Sequence, residues 1–328
     1  MLFVCKGCGK KYRLKTDAAP ANLDRLRCRQ CGEGVRQVKE TNAGELFFFD
    51  RDKALHGFAM DNIIVFSNQK GGVAKTTTCL NLGLSLALLK KKVLLIDFDG
   101  QANLSLSLGY QDRNSFFEIV DTRVKDFSSH IIATRYTGLY LLPSNMNMAL
   151  LNKRYLSRQF FEFLLRDRLN QLGESFDYIL IDTPPSIEFF TMNALTAAQM
   201  AIIPCQCEFL ATHGVTKIKK LIEQIQAKTN PGLTFRILIT MFDANETASQ
   251  VVYEKLQQLY PGKLFTTLIG RDSKIKEAQI LSLPAIVYDR ESTAARQHIL
   301  LAKEILDSMP TALSSEQNTD KQSPIIAG

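Results

Sequence analysis

Short apolar runs recur along residues 61–307, each followed by a polar turn and most then by an amphipathic stretch. The runs at 63–67, 93–97, 176–182, 200–204, 235–241 and 264–269 are largely apolar rather than strictly alternating, which predicts strands buried on both faces. Between them, 76–90, 149–172, 212–228 and 248–259 carry apolar residues at helical spacing. Strands alternating with helices predict an α/β fold, a doubly wound, mostly parallel sheet that binds ligands at the carboxyl ends of its strands. Three other stretches lack this rhythm. Residues 1–38 are rich in cysteine and base. Residues 39–60 read as a linker, with a short strand expected around 46–49. The tail at 308–328 is polar, contains two prolines and is expected to be disordered. No internal repeat is evident.

Charge sharpens this division. The chain of 328 residues has a net charge of +7, and residues 1–39 hold ten Lys/Arg against three acids, so the excess lies in that segment and the rest is neutral. Such a module suits a polyanion such as nucleic acid, with a solvated face as the plainer alternative. No apolar run reaches the roughly 18 residues that span a bilayer, and the N-terminus lacks a signal-peptide core, so a cytoplasmic protein is expected. Four of the seven cysteines form two C-x2-C pairs, Cys5/Cys8 and Cys28/Cys31. That is zinc-ribbon spacing. Four thiolates would close a structural Zn²⁺ site and supply folding energy that so small a module cannot draw from its core. The ribbon could contact DNA through Lys10, Lys11, Arg13, Lys15, Arg25, Arg27 and Arg29, dock a protein, or cap the rest of the chain.

Candidate chemistry clusters where the strands end. IIVFS runs into NQKGGVAKTTT and an apolar helix, the layout of a phosphate cradle. Gly71 and Gly72 free the backbone to turn its N–H groups inward, Lys75 reaches the β- and γ-phosphates, and the Thr76 hydroxyl suits Mg²⁺. VLLIDFDGQANLS brings Asp97 and Asp99 onto one side of the chain, and FDYILIDTPPS delivers Asp182 to a strand end, where it would hold Mg²⁺.

The loop departs from G-x-x-x-x-G-K-[ST] and fits K-G-G-x-x-K-T; together with the D-x-D and Asp182 segments it resembles the ParA/MinD family of deviant Walker ATPases, over about residues 62–306. The resemblance implies ATP hydrolysis with ATP and Mg²⁺ as cofactors. It implies nucleotide contacts from Lys70, Gly71, Gly72, Val73, Ala74, Lys75, Thr76 and Thr77. Lys70 would reach the nucleotide of a second subunit in an ATP-sandwiched homodimer. Asp99 would be the catalytic carboxylate that orients the attacking water, beside the catalytic lysines Lys70 and Lys75. Thr76, Asp99 and Asp182 would serve Mg²⁺, and Asp243 and Arg271 the adenine. Ala74 stands where relatives usually carry Gly; its methyl group is tolerable at negative φ. Gly100 replaces the family's Pro. The resemblance further implies non-specific DNA binding at the nucleoid, with Lys274, Lys276, Arg290 and Arg296 as candidate contacts. A ParB-like or cargo-adaptor protein would stimulate hydrolysis, and the cargo would be a plasmid, a chromosome region or a protein cluster. The ANETASQ stretch lacks a basic residue that many relatives carry. Two alternatives stay open. A MinD-like membrane regulator needs an amphipathic tail that residues 310–328 do not offer. A metal or iron–sulfur carrier would use Cys205 and Cys207, which read first as packing residues.

Overall fold

The computed structural model describes residues 62–309, except 112, 122–126, 173–174 and 209, together with residues 2–5, 11–13, 27, 33 and 35–38. The expected strand at 46–49 lies outside these residues, as do Cys8, Cys28, Cys31 and the tail from 310. In the N-terminal module, β1 (Leu2–Cys5), β2 (Lys11–Arg13) and β3 (Val35–Val38) form an antiparallel sheet with β1 in the middle. Cys5, at the end of β1, sits opposite Val35.

The large sheet has the order β11-β10-β9-β4-β8-β5-β7-β6. Its strands are β4 (Ile63–Phe66), β5 (Val93–Asp97), β6 (Ile132–Ala133), β7 (Leu139–Leu142), β8 (Tyr178–Asp182), β9 (Met200–Gln206), β10 (Thr234–Phe242) and β11 (Ile269–Gly270). All pairings are parallel except that of β6 with β7 at one edge. The largely apolar runs follow from cover on both faces: Ile63, Val65, Leu94, Ile96, Ile179 and Ile181 enter one core, while Ile64, Phe66, Val93, Leu95, Tyr178 and Leu180 enter the other. The second core is closed by α1 (Lys75–Leu88), α2 (Asn103–Ser107) and two later helices, α10 (Ala285–Tyr288) and α11 (Thr293–Ser308). The first is closed by α3 (Phe116–Asp121), α4 (Met148–Tyr155), α5 (Leu164–Leu169), α6 (Phe189–Ala197), α7 (Ala211–Lys228) and α8 (Thr247–Leu259). A remaining helix, α9 (Ser273–Ile280), lies between β11 and α10 in the chain.

Two expectations need correction. The helix expected over 149–172 is broken: Phe160 turns left-handed at φ +59°, and a 3₁₀ turn at Phe161–Phe163 leads into α5. The break lets Phe161 and Phe163 both enter the interior, Phe161 stacking on Phe189 with ring centroids 6.0 Å apart. The strand expected over 264–269 reduces to one bridge at Leu264 and the two residues of β11. Glu304 explains why, since its carboxylate accepts the N–H groups of Thr266 and Thr267, each at 3.0 Å, in place of a neighbouring strand.

Candidate functional site

A cavity of about 1020 Å³ opens at the carboxyl end of the sheet. Its walls come from the loops after β4, β5, β8, β10 and β11, so the parallel topology alone gathers segments that are distant in sequence. The loop after β4 forms the floor. Gly72 is left-handed at φ +75°, and a Cβ built on Gly71 or Gly72 would meet nothing within 4 Å, so open space lies before the backbone. The first turn of α1 presents N–H groups that no helix can satisfy internally, beside the positive end of the dipole. This is a cradle of the right polarity for phosphate.

Behind the floor the charged groups are ordered by burial. Lys75 is 7% exposed and its Nζ donates to the carbonyl of Lys70 at 3.2 Å. Burial pulls its pKa down, opposed by Asp182 and Asp99. Thr76 Oγ1 donates to Asp182 Oδ2 at 2.6 Å, while the buried Oδ1 of Asp182 has no partner. Burial, aided by Asp97, pushes the Asp182 carboxyl up to about 8. Asp97 is also raised by burial, to about 6, although Ser105 donates to it through N–H at 2.8 Å and Oγ at 2.7 Å. Asp99 is raised by burial, and the Gln101 N–H, at 2.9 Å, and Lys75 pull the other way. Asp182 and Asp99 thus lie near one buried ammonium, with Asp97 buried behind them. That excess of negative charge, the orphaned Asp182 oxygen and the adjacent hydroxyl fit a divalent cation with oxygen ligands.

The expected residues separate into groups. Gly71, Gly72, Ala74, Lys75, Thr76, Thr77, Asp99 and Arg271 line the cavity, and Asp182 lies directly beneath Thr76. Asp97 turns inward to hold α2 through Ser105, so only Asp99 of that pair faces the cavity. Val73 is buried, its carbonyl accepting from Thr240 Oγ1 at 3.2 Å. Lys70 stands at the rim, paired with Glu208. Asp243 is outside the lining, its Oδ1 accepting the N–H of Asn245 at 3.0 Å. Arg271 makes an ion pair with Glu246 at 3.5 Å. Of the candidate DNA contacts, Lys276 lines the cavity, Lys274 pairs with Glu277 at 2.8 Å, Arg296 lies 3.9 Å from Glu291, and Arg290 is exposed.

Ala74 does not meet the condition of negative φ under which its methyl group is tolerable: it is left-handed at φ +66°. The methyl group is therefore carried at a steric cost that Gly would avoid. Several residues that support the site gave no sequence signal of their own. Asn68 Nδ2 donates to Pro204 O at 2.7 Å and Thr183 Oγ1 to Phe66 O at 2.7 Å, and both ties fix the loop to its neighbours. Gln279 Nε2 reaches Thr77 Oγ1 at 3.0 Å across the cavity mouth. His298 reaches the wall from α11, its Nδ1 donating to Ala294 O at 2.7 Å and its Nε2 buried without a partner. The C-x-C pair is buried, and burial raises both thiols, Cys205 to about 12 and Cys207 to about 11, which suits packing and disfavours thiolate ligation.

Among the described residues no group of acids, histidines and cysteines has the arrangement of a metal cluster, and no helix is long and apolar enough to cross a membrane. The zinc site expected at Cys5, Cys8, Cys28 and Cys31 lies outside what is described, save for the backbone of Cys5.

Comparison with known proteins bears on the same region. Residues 61–235 match the AAA domain family. The chromosome-partitioning ATPase Soj of Treponema pallidum is 35% identical over 248 residues, covering 75% of this chain and 98% of Soj. Among solved structures, cobyrinic acid a,c-diamide synthase of Mycobacterium smegmatis with ADP and magnesium has a TM-score of 0.65 at 30% identity, covering 82% of this chain and all of that one. A plasmid partition protein of Borrelia burgdorferi bound to AMPPNP has a TM-score of 0.66 at 25% identity, covering 76% and 99%.

Proposed function

The chain belongs to the ParA/MinD family of P-loop ATPases, and from that premise we propose that it is an ATP-driven positioning switch. ATP is sandwiched between two subunits, the dimer holds DNA non-specifically, and a partner protein triggers hydrolysis and release of a plasmid, chromosome region or protein cluster. The observation that carries this reading is the Thr76–Asp182 pair beneath an open glycine loop, with Lys75 and Asp99 at the same mouth.

Phosphoryl transfer asks mainly for positioning and charge neutralisation. The loop N–H groups bind and orient the phosphates. Lys75, desolvated and close to Asp182 and Asp99, holds positive charge where the β- and γ-oxygens would lie. Asp99, held by the Gln101 N–H, orients a water at the mouth. Mg²⁺ held by Thr76 and Asp182 would neutralise phosphate charge. Lys70, at the rim rather than in the wall, suits a role toward a second subunit. Met241, Gly270 and Arg271 form the cavity's far wall, where the adenine would sit, with Arg271 and Asp243 the side chains nearest that role in the sequence resemblance.

Zinc remains a proposal for the N-terminal module. Its four cysteines have ribbon spacing, and the register that sets Cys5 against Val35 brings the first knuckle to the strand that follows the second. This module carries most of the net positive charge, and we assign it a share of the DNA contact.

Two substitutions test the switch. Asp99→Ala should bind Mg·ATP, accumulate as a dimer in sedimentation and lose turnover by roughly 10²-fold or more; normal turnover would remove Asp99 from the chemistry. Lys70→Ala should remain monomeric with Mg·ATP, and a mutant that still dimerises would refute the trans role.

A further inference from the structure

We propose that Glu208 is a positioning residue for Lys70, storing its ammonium on its own subunit until a second subunit presents a triphosphate. The proposal rests on the reading of Lys70 as a lysine that acts across the dimer. The backbone of Lys70 is pinned twice: its N–H donates to Asn68 Oδ1 at 3.0 Å, and its carbonyl accepts from Lys75 Nζ at 3.2 Å. Asn68 is buried and bonded to Pro204 of β9. Glu208 lies two residues past the end of the same strand. Its N–H bonds to Gln206 O and its carbonyl to the N–H of Ala211, both at 2.9 Å, so its backbone is anchored where β9 passes into α7. Both main chains are therefore tied to one strand, and only the side chains are left to move.

Between these anchors Lys70 Nζ pairs with Glu208 Oε2. The two side chains are 43% and 46% exposed, so the pair sits in water and is weak enough to exchange. The two loop lysines are thus sorted. Lys75 is buried toward Asp182 and Asp99 in its own cavity, whereas Lys70 is held on an acid at the rim. A triphosphate offers an ammonium more charge and more acceptor oxygens than one exposed carboxylate, so it can take the lysine over. Each dimer requires this exchange twice. Glu208 thereby raises the threshold for association and suppresses pairing of subunits that carry no nucleotide.

The test is sedimentation of the full chain with Mg·ATP, comparing wild type with Glu208→Gln and Glu208→Asp at low salt and at about 0.5 M salt. Releasing two exposed pairs, each worth about 1.4- to 5-fold, should lower the concentration for half-dimerisation of Glu208→Gln by about 2- to 25-fold at low salt. The gap should close at high salt, and Glu208→Asp, which keeps the charge, should fall between the two. An unchanged midpoint at low salt overturns the inference. So does weaker dimerisation, which would mean that Glu208 supports the dimer itself. A wild-type chain that stays monomeric with Mg·ATP would overturn the trans role of Lys70 and this inference with it.

Discussion

Ala74 holds a left-handed conformation at φ +66° in the middle of the phosphate loop, where Gly would pay nothing for the same turn. For an L-residue with a Cβ the conformation costs about 1 kcal/mol or more. Ala74→Gly should therefore raise the unfolding free energy by about 0.5–1 kcal/mol in urea denaturation, even after the larger entropy of Gly in the unfolded chain is counted. No change would mean that the loop relaxes around the methyl group. His298 gives a second prediction at this scale. Burial holds its pKa down to about 4, below the ordinary 6.5, so the unfolded chain takes up this proton first. The stability due to neutral His298 is complete above about pH 6.5 and is lost as pH falls toward 4, by up to about 3 kcal/mol. His298→Gln should flatten that part of the profile when denaturation midpoints at pH 7 and pH 5 are compared. An unchanged slope would place the acid sensitivity elsewhere.

Among the elements, α1 carries both the site and the packing. Its first turn faces the cavity, and its later turns lie so close to the sheet that a Cβ on Gly83 would sit 2.6 Å from Leu95 Cδ2. Gly83→Ala should push α1 from β5 or force Leu95 off its rotamer, costing about 1–3 kcal/mol in thermal or urea unfolding. It should also weaken Mg·ADP binding, because the loop and the helix move together. Stability kept with binding lost would separate the two roles. The elements also show where periodicity misleads. The stretch 149–172 has helical spacing, yet the requirement to bury Phe161 and Phe163 beside Phe189 breaks it at Phe160. The apolar run at 264–269 looks like a strand, yet Glu304, about 40 residues on, takes its N–H groups. The positions of β4, β5, β8, β9 and β10 were legible because each is a largely apolar run. By contrast, β6 is only two residues long, too short to stand out, and β7, as long as β4, gave no signal because no glycine loop or acid marks its end.

For the whole molecule, the separation of charge makes a prediction that the cavity does not. With ATP bound, the full chain should bind duplex DNA with an affinity that falls steeply as salt rises. If residues 1–38 neutralise DNA phosphates, a chain lacking them should show a shallower dependence of log K on log salt, by about 0.9 for each phosphate that this module would have neutralised. An equal slope would assign the basic module to a protein partner. Metal analysis of the full chain should return one Zn²⁺ per chain, released with loss of the module's structure on chelation.

The local chemistry was determined by the sequence alone. A glycine-containing loop between an apolar strand and an apolar helix, with acids closing two further strands, carries its meaning in residue type and short spacing, because loop conformation and strand exit are set by neighbours in the chain. Tertiary structure decided which of those groups meet. It sent Asp97 into the core and left Asp99 at the mouth, set Thr76 on Asp182, brought His298 to the cavity wall from more than 200 residues away, and gave Lys70 to Glu208 at the rim. Those outcomes depend on strand order and on competition for burial and hydrogen bonds between distant segments, and no local pattern encodes that competition.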